Sequence, residues 1–200
     1  AAALSVLTLT SVSTNTVKAD DPTPKELTQV ITGVELLDAS DTKQNVTSEG
    51  DYAVRTGNAY KLRVTFDLKQ YNENLNNGDY FTFDIPAPMT VYNGTQQLVD
   101  PATQVTIGEA VVTSSGNDKG GKAKITLKNL DKYLAATGGD KVKDVSGNFA
   151  ASFRFLTDQT KTPISFNSSS MKQEVTHTYT SKTITGPKVG TENYAKSGGQ

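Results

Sequence analysis

His177 is the one histidine among 200 residues, and cysteine is absent, so imidazole and thiolate chemistry share a single possible centre. General-base catalysis needs a histidine held by a carboxylate beside a nucleophile, and no nucleophile motif accompanies residues 174–180 (EVTHTYT). His177 alternates there with Val175 and Tyr179, the period of a strand face, and is expected to be structural. Asp38, Asp41, Glu49 and Asp51 crowd into one loop, and calcium takes such oxygen ligands. Their spacing is not that of an EF-hand and its central glycine is missing, so a solvated acidic loop is the simpler reading. Tyr80, Tyr92, Tyr133 and Tyr179 could stack on a sugar ring, but single strand tyrosines also serve cross-strand packing. The glycosylation triplets at Asn45, Asn93 and Asn167 are ordinary in a chain rich in Asn and Thr. A wall-acting hydrolase needs paired carboxylates across a cleft, whereas the acids here alternate along strands as solvent faces do. No catalytic residue, metal or cofactor is expected, and the chain is not read as an enzyme.

The elements that position these residues are strands. Tyr60, Leu62, Val64, Phe66 and Leu68 alternate with Lys61, Arg63, Thr65 and Asp67, which is period two and predicts a half-buried strand. After a turn-rich stretch at 72–78 (NENLNNG), Phe81, Phe83 and Ile85 alternate again until Pro86 and Pro88 end the ladder. These two strands are expected to be neighbours in the core. A first strand lies in 26–37, with Val30, Val34 and Leu36 on one face, and a polar loop then runs to Tyr52. Further strands are predicted at 89–92, 105–113, 123–127, 148–156, 163–166 and 174–184, and a single short helix at 130–137 is stopped by Gly138 and Gly139. Strands without alternating long helices exclude a parallel α/β sheet and predict an all-β immunoglobulin-like β-sandwich.

Composition agrees. With 35% hydrophobic and 20% charged residues the chain is not wholly disordered. The formal net charge is -1 and Lys and Arg are scattered singly, so no basic stripe meets a row of phosphates and nucleic acid is not an expected partner. Residues 1–12 (AAALSVLTLTSV) are apolar and small, too short to span a membrane. With Val17 and Ala19 at the minus-three and minus-one positions, residues 1–19 read as a partial signal peptide cleaved before Asp20. Residues 20–27, with two prolines, form a lead-in, 28–186 the domain, and the glycine-rich 187–200 a linker to a following domain.

The succession of 31–38 (ITGVELLD), 61–68 (KLRVTFDL) and 77–86 (NGDYFTFDIP) resembles the serine-aspartate-repeat-like immunoglobulin domain of Gram-positive surface adhesins. Phe66 and Asp67 match the family's aromatic and acidic pair, although Phe66 stands where tryptophan is usual. Gly78, Asp79, Phe81, Phe83 and Pro86 match its turn and strand. The resemblance implies a secreted, cell-wall-anchored adhesin module without membrane insertion in this segment. It would bind a host extracellular protein such as fibrinogen or collagen by β-strand addition to an exposed sheet edge, together with an adjacent immunoglobulin-like domain.

Related surface proteins carry Lys–Asn isopeptide bonds, which need a buried neutral lysine, an asparagine and a carboxylate that shuttles protons. Lys61 and Asp67, with Asn148 or Asn167, are the candidates, although Lys61 and Asp67 fall on the expected solvent face. A non-binding stalk or pilin-like domain with such a crosslink is the alternative to the adhesin.

Overall fold

A computed structural model describes residues 22–38, 40 and 51–184. Eleven strands and one helix follow in order: β1 (Ile31–Asp38), β2 (Asp51–Arg55), β3 (Tyr60–Asp67), β4 (Tyr80–Ile85), β5 (Thr90–Val91), β6 (Gly94–Val99), β7 (Thr106–Ser114), β8 (Gly121–Leu127), α1 (Leu130–Thr137), β9 (Ser146–Arg154), β10 (Gln159–Phe166) and β11 (Val175–Lys182). The proposed signal peptide, its cleavage point, the first residues of the lead-in, Asp41, Asn45, Glu49 and the proposed linker lie outside the described residues.

The strands form sheets ordered β1-β3-β9-β5, β10-β11-β2 and β4-β8-β7-β6. The last two join edge to edge through side chains. Ser168 Oγ accepts from Asp84 N at 2.9 Å, and Ser170 Oγ donates to the Thr82 carbonyl. Together they make a second layer facing β1-β3-β9-β5, and aromatic rings meet across the gap: Phe66 and Phe81 at 5.3 Å, Phe83 and Phe149 at 6.4 Å, Phe153 and Tyr179 at 6.2 Å. The molecule is an immunoglobulin-like β-sandwich, as its alternation predicts.

Period two explains which residues go inside. Every second residue of β3, from Tyr60 to Phe66, is buried, as are Phe81, Phe83 and Ile85 of β4. These strands face each other across the core rather than pairing, because β3 hydrogen-bonds β1 and β9 while β4 bonds β8. The helix spans 130–137 as expected, and Gly138 ends it in the left-handed region at φ 75° with its N–H on the Leu134 carbonyl.

Three features depart from the sequence reading. β2 begins inside the stretch read as loop; Tyr52 and Val54 are buried, and the strand pairs in parallel with β11. β6 was not anticipated, since Leu98 is its one buried residue. The end of the lead-in, residues 25–27, already belongs to the fold. Leu27 is fully buried, its N–H bonds the Tyr80 carbonyl, and Glu26 bridges Tyr80.

Candidate functional site

The shortness of β5 determines what stays open. It covers only Arg154 and Phe153 of β9, so from Ser146 to Ser152 β9 has β3 on one side and, among the described residues, no strand on the other. Along an antiparallel strand the backbone groups of successive residues point alternately toward and away from a given neighbour. The Ala150 N–H points away from β3 and donates to Gln96 Oε1 at 3.1 Å. Asn148 and Ser152, two residues to either side, therefore present their backbone groups to the same open edge.

Opposite stands β6, the terminal strand of its own sheet. Gln96 pairs with Ala110 and Leu98 with Gly108, and Ala110 is buried, so this side of β6 looks inward at β9. Gln97 looks outward, its Nε2 donating to Glu109 at 3.1 Å and its Oε1 accepting from Lys128 Nζ at 2.8 Å.

Between the two edges runs a groove with two recesses. The smaller, about 170 Å³, lies over Gly94, Ala110, Val112 and Ala151; the larger, about 470 Å³, lies over Phe66, Leu98, Ile107 and Gly147, and Gln96 borders both. Small residues create the space. At Gly147 an added Cβ would come within 3.1 Å of the Phe66 ring. Among the described residues, Asp100 is the one charged side chain lining either recess. Tyr92 and Val99, 43% and 47% exposed, stand on the rim, and among the described residues only Leu156 and Ile184 are other large apolar side chains so exposed. Chemically the arrangement can accept an extended backbone, since an unpaired edge offers hydrogen bonds and recesses beside it offer space for side chains.

Of the candidate residues of the sequence, Tyr92 stands on the rim and Asn148 on the open edge, while the other described candidates for catalysis, stacking, metal binding or crosslinking lie elsewhere. His177 is buried inside the sandwich; its Nε2 donates to the Val34 carbonyl at 3.0 Å, so the neutral ring accepts from Tyr179 OH at Nδ1, 2.9 Å away. Tyr52 and Phe166 pack against the ring at 4.9 and 5.4 Å. These contacts are those of a packed core side chain whose two ring nitrogens are both satisfied. Tyr179 is fully buried and offers no surface to a sugar. Tyr80 lies under Lys124 at 4.7 Å, Tyr92 under Arg154 at 5.9 Å, and Tyr133 packs on the core.

Asp38 bonds the Ser40 N–H and Asp51 pairs with Lys161 at 3.3 Å, while Asp41 and Glu49 lie outside the described residues. Among the described residues no three His, Cys, Asp or Glu side chains converge to hold a metal ion, and no helix is long and apolar enough to cross a membrane.

The isopeptide candidates are also kept apart. Lys61 sits opposite Ser152, and Asn148 opposite Thr65, four residues or about 13 Å along the strand. Asn148 and Asn167 are exposed, and Lys61 and Asp67 are half-buried, none in the dry surroundings the reaction needs.

Sequence reasoning missed Gln96 and the β6 wall. The available signal was the Asn93-Gly94 pair, a turn dipeptide directly after the predicted strand at 89–92. Asn93 ties the start of β6 to the end of β7, its Oδ1 accepting from Ser114 N at 2.7 Å.

His177 carries a pH prediction. Burial pushes its pKa below the usual imidazole value, only partly opposed by the bond to Val34. In the unfolded chain the ring titrates near about 6.5; in the fold it titrates lower, so between the two values the unfolded state holds more protons. Stability is then fully present above that pH and declines as the pH falls toward the folded value. Urea unfolding is expected to weaken between pH 7 and 5, no more steeply than about 1.4 kcal/mol per pH unit from this one group. In His177→Gln that slope should flatten; an unchanged slope would assign it elsewhere.

No curated protein matches the sequence. A family model described as a bacterial Ig domain matches residues 53–162, from β2 into β10, which takes in both layers of the sandwich and both walls of the groove. The chain belongs to the bacterial Ig domain family.

Proposed function

We propose that the chain is an extracellular module of a Gram-positive surface adhesin. On this reading it binds a host matrix protein, of the class of fibrinogen or collagen, by β-strand addition with the help of a neighbouring immunoglobulin-like domain. The observation that carries the reading is the unpaired stretch of β9 facing the unpaired edge of β6 across a nearly uncharged groove. Edges are normally blunted or covered because they invite other strands. Here the edge lies recessed between two walls, which admits one extended segment and discourages sheet-to-sheet aggregation. Export belongs to the same proposal and rests on the signal-like residues 1–19, and attachment to the cell wall rests on the adhesin resemblance alone.

The test measures binding of the chain, alone and within its whole natural protein, to immobilised fibrinogen, collagen, fibronectin and mucin. Gly94→Phe serves as the blocking variant. Gly94 faces Val112 on the inward side of β6, and a Cβ there meets nothing within 4 Å, so the ring should fill the smaller recess without straining the sheet. We expect at least one host protein to bind, and Gly94→Phe to weaken it by about tenfold or more with an unchanged urea midpoint. Failure of all four to bind the whole protein would favour the stalk.

A further inference from the structure

We propose that the Gln96 side chain is a built-in stand-in for the incoming strand: its amide oxygen occupies the hydrogen bond on β9 that a bound backbone carbonyl takes. The inference rests on the strand-addition reading and names what the groove admits and what guards it.

Gln96 is exposed on β6, yet its Oε1 reaches across to the Ala150 N–H at 3.1 Å. The contact joins strands of different sheets and is the point where the two recesses meet. A primary amide on a side chain offers the same acceptor as a peptide carbonyl. It therefore satisfies an edge donor that would otherwise rely on water, and it divides the groove while it does so. Gln96 makes one such bond, whereas a strand lying along Asn148, Ala150 and Ser152 would make a series of them. A segment of sufficient length displaces the side chain, and a shorter or poorly matched one does not.

The occupant is an extended, uncharged peptide segment. Among the described residues no charged side chain lines the groove between its ends, where Asp100 borders the larger recess and Arg154 lies over Tyr92 beyond the smaller. A charged inward residue would lose its water there without a partner. The recesses set a pattern. The smaller lies over Ala151 and fits a side chain of alanine to valine size; the larger lies over Gly147 and Phe66 and fits a leucine or an aromatic ring. Ala151 and Gly147 are four residues apart on β9, and residues separated by an even number share one face of a strand. The bound segment therefore carries its small and large apolar residues four positions apart.

The test has one arm without ligand and one with. In the free chain, amide exchange at Ala150 is expected to quicken by about fivefold in Gln96→Ala, while Ala151, on the β3 side of the same strand, stays unchanged. In the second arm, an array of uncharged Thr/Ser nonapeptides varied at positions 3 and 7 is probed with wild type, Gln96→Ala and Gln96→Ala/Gly94→Phe. Peptides with one small and one large apolar residue at those positions should bind, about threefold to tenfold tighter to Gln96→Ala, because one hydrogen bond no longer has to be displaced. The double variant should lose them. Equal Ala150 exchange in wild type and Gln96→Ala, or peptide binding indifferent to residue 96, or no peptide bound by either, overturns the proposal. The adhesin reading fails separately: peptides that follow the pattern while no host protein binds leave the groove assignment standing, and host binding indifferent to residue 96 does the reverse.

Discussion

Replacing Asp79 by alanine is expected to lower the unfolding free energy by about 3 kcal/mol, the largest effect of any charged residue in the domain. Its carboxylate is fully buried. Oδ1 accepts from the Lys25 N–H at 2.9 Å, and Oδ2 accepts from Lys25 Nζ at 2.7 Å and from the Asn76 N–H at 2.8 Å. Two of the three donors are backbone groups, so truncation strands them rather than merely breaking a surface ion pair. The acid also fastens the lead-in to the sandwich. The Tyr80 N–H bonds the Lys25 carbonyl, and the Leu27 N–H bonds the Tyr80 carbonyl. Lys25→Met should cost far less, about 1 kcal/mol, because Lys25 is partly exposed and both backbone donors remain. Urea unfolding of the two variants checks this; an Asp79→Ala midpoint equal to that of Lys25→Met would mean that the backbone bonds carry little.

Phe83→Ala is expected to cost about 4 kcal/mol. Phe83 is fully buried on β4, stacked on Phe166 of β10 at 5.6 Å and edge-on to Phe149 of β9 at 6.4 Å. It touches all three sheets where they meet, so neighbours fixed in three ladders can collapse little into the cavity, which places the cost toward the high end of such truncations. Phe83→Leu should lose about 1 kcal/mol. The next residue gives the contrast. Asp84 is well exposed, and its ion pair with Lys122 spans 3.8 Å, so Asp84→Ser should stay within about 0.5 kcal/mol of wild type. Domains of this kind have about 5–15 kcal/mol in total, so Asp79→Ala and Phe83→Ala each remove a large share. Thermal and urea unfolding decide between these figures, and a Phe83→Ala loss as small as that of Asp84→Ser would contradict the packing described.

How much of this was legible depended on local pattern. The inward residues of β3 and β4 could be read because period two needs nothing beyond the strand itself. The helix at 130–137 could be read because Gly138 supplies the left-handed stop next to it. β2 could not. It is short, sits beside the acidic loop, and becomes a strand through parallel pairing with β11, more than a hundred residues along the chain. β6 was hidden because its outward and edge-facing residues, Thr95, Gln96 and Gln97, are polar. The tyrosines and the isopeptide candidates were weighed by residue type, whereas proximity decides their chemistry, and ladder register holds Lys61 away from Asn148.

Side-chain period and composition were enough for the class of fold, the inward faces of the main strands and the place of the helix. Where an edge is left unpaired depends instead on how distant strands meet. β5 stops after Val91, and the chain then crosses to the other sheet as β6, which leaves β9 open beneath Gln96. That outcome depends on hydrogen bonds between strands distant in sequence, and pairing of this kind has no local signature in the residues that make it.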